Sequence, residues 1–195
     1  MKENFLTFIK SRRTIRKYKE GRIVPSQTIK DILDAGRSCQ SAHNMQPWKF
    51  VVIRKKSVIN RIVMMSLKKS KHLHIGFNIL LKEASSVIAQ SPLLIAVYNT
   101  KPISKKFSNL GYQYKRLCGL YEVQSIAAAI QNMSLAASYV KLGLAWLGIM
   151  LFCEKEINAI LCEQNDLMAL LSVGYSNESP KPTRRKRIEE ISDYI

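Results

Sequence analysis

The hydrophobic residues of this chain follow two patterns, stripes at helical spacing and short continuous runs. Phe5, Phe8 and Ile9 recur at the spacing of one helix face, and runs such as LLIAVY at 93–98 are typical of buried strands. The first predicted helix begins at Phe5, and the others cover 26–36 (with Ser26 as N-cap), 57–70, 79–90, 123–142 and 154–162. The predicted strands cover 48–54, 93–98, 144–151 and 168–175.

Strands and helices alternate along the chain, which predicts a layered α/β or α+β domain with about four strands. The basic stretch 101–117 contains Gly111 and is predicted to form a loop or lid. Gly143 is predicted to end the longest helix, because glycine favours the left-handed conformation found after helix ends.

The length of 195 residues favours a single domain, 1–195, with a basic arm from about residue 176. The hydrophobic fraction of 47% is enough for a substantial core. The opening residues lack the apolar run of a secretory signal, and polar residues interrupt the most apolar stretch, 126–151. We therefore expect a cytoplasmic protein with no membrane span.

The formal net charge of +17 points to anionic partners, namely nucleotide cofactors, nucleic acid or acidic surfaces. The positive residues are spread over many segments, so charge alone does not choose among these partners. The four cysteines include no C-x-x-C pair and are interpreted as reduced thiols. His72 and His74 lack further ligands nearby in the sequence, which favours surface histidines over a zinc site.

The first segment with candidate chemistry is SRRTIRKY at 11–18. Arg12, Arg13 and Arg16 offer planar donors suited to phosphate, and Thr14 adds a hydroxyl donor. A solvated basic helix end explains the same residues, and on this segment alone that interpretation is favoured.

The second segment is SAHNMQPW at 41–48, between a predicted helix and a predicted strand. The amides of Asn44 and Gln46 both donate and accept, which suits the alternating carbonyl and N–H groups at the edge of a flavin ring. An ordinary loop containing an Asn-based turn is the alternative.

The third segment is the basic tail 181–187, KPTRRKR. It is interpreted as a disordered charged tail, a nucleic-acid-binding arm or a further phosphate-binding segment. Ile188, Ile191 and Ile195 follow it, which favours an arm held down by apolar contacts over pure disorder.

Three motifs, RRTIRxY, SAHNxQPW and AIQNMxLAA, occur in this order and together resemble the nitroreductase family. The resemblance covers nearly the whole chain, and the QPW loop is its most specific part. It implies an α+β fold with a mostly antiparallel central sheet flanked by helices, and an intertwined homodimer with FMN at each interface. It further implies an oxidoreductase that passes electrons from NADH or NADPH through the flavin to a small acceptor (nitroaromatic, quinone or flavin) by a ping-pong mechanism.

The resemblance also implies roles for individual residues. Those expected at the FMN phosphate and ribityl chain are Arg12, Arg13, Thr14 and Arg16, with Arg184 or Arg185 reaching the phosphate from the tail. Those expected beside the flavin of the partner subunit are Ser41, Ala42 and Asn44, with Gln46 supporting their loop. Gly148 and Ile149 match the segment that passes the isoalloxazine ring. Gln40 and Ala42 depart from residues frequent in the family, which bears on substrate choice more than on flavin binding.

Two other interpretations remain open from the sequence. A basic nucleic-acid-binding protein would explain the charge, but no nucleic-acid motif is present and aromatic residues do not interleave the basic runs, so nucleic acid is the less favoured partner. A family member that binds flavin without turnover is the other.

Overall fold

The computed structural model describes residues 4–107, 109 and 111–195. Residues 1–3 of the predicted domain, and positions 108 and 110 of the predicted loop, lie outside the described residues. The helices are α1 (Phe5–Ser11), α2 (Ser26–Arg37), α3 (Lys56–Ser70), α4 (Ile75–Gln90), α5 (Pro102–Lys106), α6 (Tyr112–Tyr139) and α7 (Glu154–Leu161), and the strands are β1 (Trp48–Ile53), β2 (Leu93–Asn99), β3 (Leu142–Leu147) and β4 (Asp166–Tyr175). Short 3-10 turns span Ala42–Asn44, Gly148–Cys153 and Ile188–Glu190.

The four strands form one sheet in the order β1-β2-β4-β3, and every neighbouring pair is antiparallel. Helices cover both faces of this sheet. The predicted α+β fold, with a mostly antiparallel central sheet flanked by helices, is confirmed.

Strand β2 shows why the apolar run at 93–98 lacks the alternation of a half-exposed strand. Leu94, Ala96 and Tyr98 pack into one core with α3, α4 and α7. Leu93, Ile95 and Val97 pack into the other core with α2 and α6. Successive side chains of a strand point to opposite faces, and both faces are covered here, so apolar residues occupy every position from 93 to 98.

The prediction of a loop over 101–117 is wrong for its described residues. Residues 102–106 form α5, and α6 already begins at Tyr112. Gly111 is the N-cap of α6 instead of a loop residue, with an extended backbone. The first turns of α6 are basic and exposed, so their composition resembles that of a solvated loop.

Three predicted boundaries also need correction. The long helix ends at Tyr139, and Lys141, with φ of 61°, provides the left-handed turn assigned to Gly143. Strand β3 ends at Leu147, and the rest of the predicted strand 144–151 is a 3-10 turn. The N-cap of α2 is Pro25, and Ser26 is the first residue of the helix, where its hydroxyl accepts a hydrogen bond from Arg54 at 2.9 Å.

Gly143 has a packing role in β3. A Cβ built on Gly143 would collide with the side chain of Ile15. Ile15 lies in the extended segment that follows α1, and its backbone N–H donates to the Leu144 carbonyl at 3.2 Å. Because Gly143 has no side chain, residues 11–18, which we call the arginine-rich segment, can lie directly against the edge of the sheet.

The described residues also bear on membrane, metal and thiol chemistry. None of their helices combines the length and apolarity required to cross a bilayer. They contain no group of three or more His, Cys, Asp or Glu side chains arranged to hold a metal ion. Cys39, Cys118, Cys153 and Cys162 are free thiols.

Candidate cofactor site

The two ends of the chain meet at the edge of the sheet. After α1, residues 14–19 run extended between β3 and the residues that follow β4, with bridges from Thr14 to Leu144 and from Tyr18 to Ser176. Further backbone hydrogen bonds join Lys19 N to the Tyr175 carbonyl at 2.8 Å and Asn177 N to the Lys17 carbonyl at 2.9 Å. The first and third candidate segments, far apart in sequence, are therefore neighbours in space.

A cavity of about 550 Å³ lies where these ends meet, and we call it the arginine pocket. It brings together Arg12 and Arg13 from the start of the chain and Arg185 from the tail. Among the residues that the structure describes, no carboxylate lines it. The full lining is Ile9, Lys10, Arg12, Arg13, Gln131, Pro182, Thr183 and Arg185.

The charges in the arginine pocket are crowded. Arg12 is partly buried, and its burial, followed by the nearby charges of Arg185 and Arg13, lowers the pKa of its guanidinium from the ordinary value. The Arg13 guanidinium donates to the carbonyls of Lys10 at 2.6 Å and Arg12 at 2.9 Å, which fixes its position. An anion bound here would relieve this repulsion and accept charge-assisted hydrogen bonds.

Three of the predicted phosphate residues do not line the arginine pocket. Thr14 is half-buried in its bridge to Leu144. Arg16 is exposed, and its backbone N–H donates to Glu178 at 2.5 Å. Of the two tail arginines, Arg185 lines the pocket and Arg184 does not.

A second cavity, of about 360 Å³, lies between the 41–46 loop and α6, and we call it the loop pocket. Ser41 and Ala42 line it, and the Ala42 N–H donates to the Ser125 hydroxyl at 3.2 Å. That hydroxyl donates in turn to the Tyr121 carbonyl at 2.7 Å. The other lining residues are Gln40, Tyr121, Gln124, Ser125 and Ala128.

The backbone of the 41–46 loop is strained. His43, Asn44 and Gln46 have φ angles of 52°, 54° and 46°, a region that residues other than glycine rarely adopt. The Ser41 hydroxyl accepts from Gln46 N at 3.1 Å, and the Gln46 amide donates to Asn44 Oδ1 at 3.3 Å, so the loop is held by its own side chains. Strain of this kind is concentrated at functional sites. Gln46 itself lines a different cavity, together with Trp48 and Phe50.

Gly148 and Ile149 lie away from both pockets within one chain. They begin the 3-10 turn after β3, and Ile149 packs against the core beside α3 and α4. Gly148 is exposed, and a Cβ added to it would meet no atom within 4 Å.

The structure also identifies residues that the sequence analysis missed. Gln124 lines the loop pocket and Gln131 lines the arginine pocket, and their spacing places both on one face of α6. Glu122, 1% exposed, accepts hydrogen bonds from Asn99 Nδ2 at 3.0 Å and from the N–H groups of Ile103 and Ser104 at 2.9 Å each. It anchors α5 to α6, a role that only the folded structure reveals.

Comparison with known proteins places this chain in a family. The family model described as the nitroreductase family matches residues 9–175. A Methanothermobacter thermautotrophicus protein, provisionally named NADH dehydrogenase/NAD(P)H nitroreductase, is 29% identical over 184 residues, or 92% of this chain and 81% of that protein. Two solved structures share the fold: a BluB-like flavoprotein of Clostridium difficile 630 (TM-score 0.81, 22% identity, 99% of each chain) and a provisionally named nitroreductase of Desulfovibrio desulfuricans in complex with FMN (TM-score 0.74, 22% identity, 99% of this chain and 98% of that one). The chain belongs to the nitroreductase family.

Proposed function

We propose that this protein is an FMN-dependent oxidoreductase that takes electrons from NADH or NADPH and passes them to a small acceptor. The acceptor class we propose is a nitroaromatic, a quinone or a flavin, with donor and acceptor using one site in turn. The observation that carries the proposal is the arginine pocket, in which guanidinium groups from both ends of the chain converge and no carboxylate occurs among the described lining residues.

The residues of the arginine pocket fit the phosphate of FMN. Arg12 is partly buried beside Arg13 and Arg185, and a dianion would compensate this concentration of positive charge. Guanidinium groups are planar donors that match phosphate oxygens in pairs. The relatives support the same ligand, because one structural neighbour is a complex with FMN and one sequence relative carries an NAD(P)H nitroreductase name.

When bound, FMN supplies the electron-transfer chemistry, so the side chains are needed for binding, orientation and exclusion of water. Arg12 and Arg185 hold the phosphate end in this proposal. Ser125 fixes the Ala42 backbone through the 3.2 Å hydrogen bond, which orients the 41–46 loop toward the ring system. Asn44 presents a side-chain amide from that loop and is proposed to contact the polar edge of the ring.

We propose a homodimer in which α6 is the central contact. Leu117, Leu120, Tyr121 and Val123 are each more than 40% exposed on α6, although α6 also packs on the sheet. Contiguous exposed apolar surface of this kind marks interaction sites. A homodimeric α6 contact would cover it.

The position of the two pockets on α6 supports a site shared between subunits. Gln124 and Gln131 lie about 10 Å apart along the helix, at the usual rise per residue. A two-fold axis crossing α6 between them would pair antiparallel helices, since symmetric contacts are reciprocal. The loop pocket of one protomer would then face the arginine pocket of its partner, as proposed for Ser41, Ala42 and Asn44. Gly148 and Ile149, in the turn that follows β3, remain proposed as the segment that passes the isoalloxazine ring.

We further infer a cytoplasmic location, supported by the four free thiols, which suit a reducing compartment.

The role of the arginine pocket is tested by comparing FMN with riboflavin, which has the same ring and ribityl chain but no phosphate. We expect FMN to bind at least about 100-fold more tightly, because charge-assisted hydrogen bonds contribute about 1.5–3 kcal/mol each. Titration of the flavin-free protein, followed by quenching of flavin fluorescence, measures both dissociation constants. Equal affinities would show that no phosphate site of this kind is used.

A further inference from the structure

One carboxylate joins the arginine-rich segment to the tail. Glu178 Oε1 accepts hydrogen bonds from the backbone N–H groups of Arg16 at 2.5 Å and Lys17 at 3.1 Å. Glu178 lies shortly after β4, between the end of the sheet and the basic tail that carries Arg185. It is half-buried, in a part of the molecule that is otherwise strongly cationic.

The turn that carries Glu178 is itself well defined. The Ser176 hydroxyl accepts from Glu178 N at 3.2 Å and donates to the Glu178 carbonyl at 2.6 Å. Asn177 N donates to the Lys17 carbonyl at 2.9 Å. The carboxylate therefore acts from a fixed backbone.

Tyr18 also anchors the arginine-rich segment. Its buried hydroxyl is 2.6 Å from the Ser172 hydroxyl and donates to the Ile15 carbonyl at 2.8 Å. Burial raises the pKa of Tyr18, which keeps the hydroxyl protonated as a donor. Tyr18 fixes the segment to the sheet, and Glu178 fixes it to the tail.

Glu178 is bonded to backbone N–H groups and not to an arginine side chain of the pocket. An acid that paired with a guanidinium of the pocket would compete with phosphate for it. The Glu178 carboxylate instead accepts from two backbone N–H groups, and it is not one of the described side chains that line the arginine pocket. The contact thus fixes the backbone of the segment that carries Arg12 relative to the tail that carries Arg185. It does not occupy the guanidinium groups proposed to bind phosphate.

We propose that Glu178 is a positioning residue for the phosphate end of the cofactor site, aligning the two arginine-bearing segments across the arginine pocket. This inference rests on the proposed FMN function. Glu178 would favour phosphate binding by aligning the arginines. Its negative charge alone would disfavour phosphate binding by Coulomb repulsion.

The proposed geometric effect of Glu178 strengthens FMN binding and its charge weakens it, so two substitutions can separate the two effects. E178A removes the acceptor and the charge, whereas E178Q removes the charge but retains an amide oxygen able to accept from Arg16 and Lys17. We expect E178A to raise the FMN dissociation constant about 10-fold, because both backbone hydrogen bonds are lost, and E178Q to leave it within about threefold, because its amide oxygen retains them. Riboflavin affinity should stay unchanged in both variants, because the alignment acts on the phosphate end.

Glu189 provides a matched control, because it is an exposed carboxylate on the same arm and takes no part in this contact. E189A should bind FMN like the parent protein, and thermal unfolding followed by circular dichroism should show a folded protein in each case. Tighter or unchanged FMN binding by E178A would overturn the proposal, and so would equal losses of FMN and riboflavin affinity. Failure of the parent protein to bind FMN would instead contradict the proposed function together with this inference.

Discussion

Replacing Arg12 and Arg185 together by alanine is expected to weaken FMN binding by about a thousandfold. Both guanidinium groups line the arginine pocket, and the pKa of Arg12 is lowered by its burial and by the charges of Arg185 and Arg13. Each charge-assisted hydrogen bond to phosphate contributes about 1.5–3 kcal/mol, so loss of two contacts corresponds to about 3–6 kcal/mol before relaxation. The measurement is the FMN dissociation constant of flavin-free protein.

The neighbouring arginine supplies the control for this experiment. Arg184 carries the same charge on the same tail but does not line the pocket. Arg184→Ala should change FMN affinity by less than about threefold, the scale expected for an exposed charge screened by salt. Equal losses in the Arg184 variant and the double variant would show that FMN responds to overall charge and not to the geometry of the pocket.

Mixed dimers are expected to recover one cofactor site from two defective subunits. One subunit would carry R12A/R185A, and the other A42F, which places a bulky ring in the loop pocket lined by Ala42. If each site combines the arginine pocket of one protomer with the loop pocket of its partner, one of the two sites in the mixed dimer contains neither change. Each variant alone should lose FMN, whereas the mixed dimer should retain about one FMN per dimer by the reciprocity of a two-fold contact.

The mixed dimers are prepared by co-expression with two different affinity tags, and bound flavin is counted by its absorbance. If both pockets of a single protomer formed the site, each subunit of the mixed dimer would still contain one defect. A mixed dimer without FMN would therefore contradict the shared site. A monomeric parent protein would contradict the α6 interface on which it depends.

Much of the fold could be predicted because apolar spacing reports burial directly. The run at 93–98 became a strand buried on both faces, and the stripe from Ile126 to Ala137 lies on the buried face of α6. The start of α6 was missed because polar, basic residues can solvate either a loop or an exposed helical turn. Gly143 was misassigned because a glycine can be required by packing, here against Ile15, as well as by backbone conformation.

Part of the chemistry of the candidate site could be predicted from the sequence, but which distant residues lie together in the site could not. Residue type alone suggested that Arg12 and Arg13 suit phosphate, yet only the folded chain shows which tail arginine faces the same cavity. Glu178 acts through two backbone N–H groups, and such a contact depends on how distant segments meet at the sheet edge. The positive φ angles of His43, Asn44 and Gln46 likewise could not be predicted from residue type, because residues other than glycine rarely adopt them.

The central claim is that this protein binds FMN and accepts electrons from a nicotinamide cofactor. The most direct test is the visible spectrum of the protein purified without added flavin, or after addition of FMN, before and after NADH or NADPH is supplied in the absence of oxygen. We expect a yellow protein whose absorbance bleaches on addition of the nicotinamide. A protein that stays colourless after incubation with FMN would contradict the claim, and a yellow protein that neither nicotinamide bleaches would contradict its catalytic part.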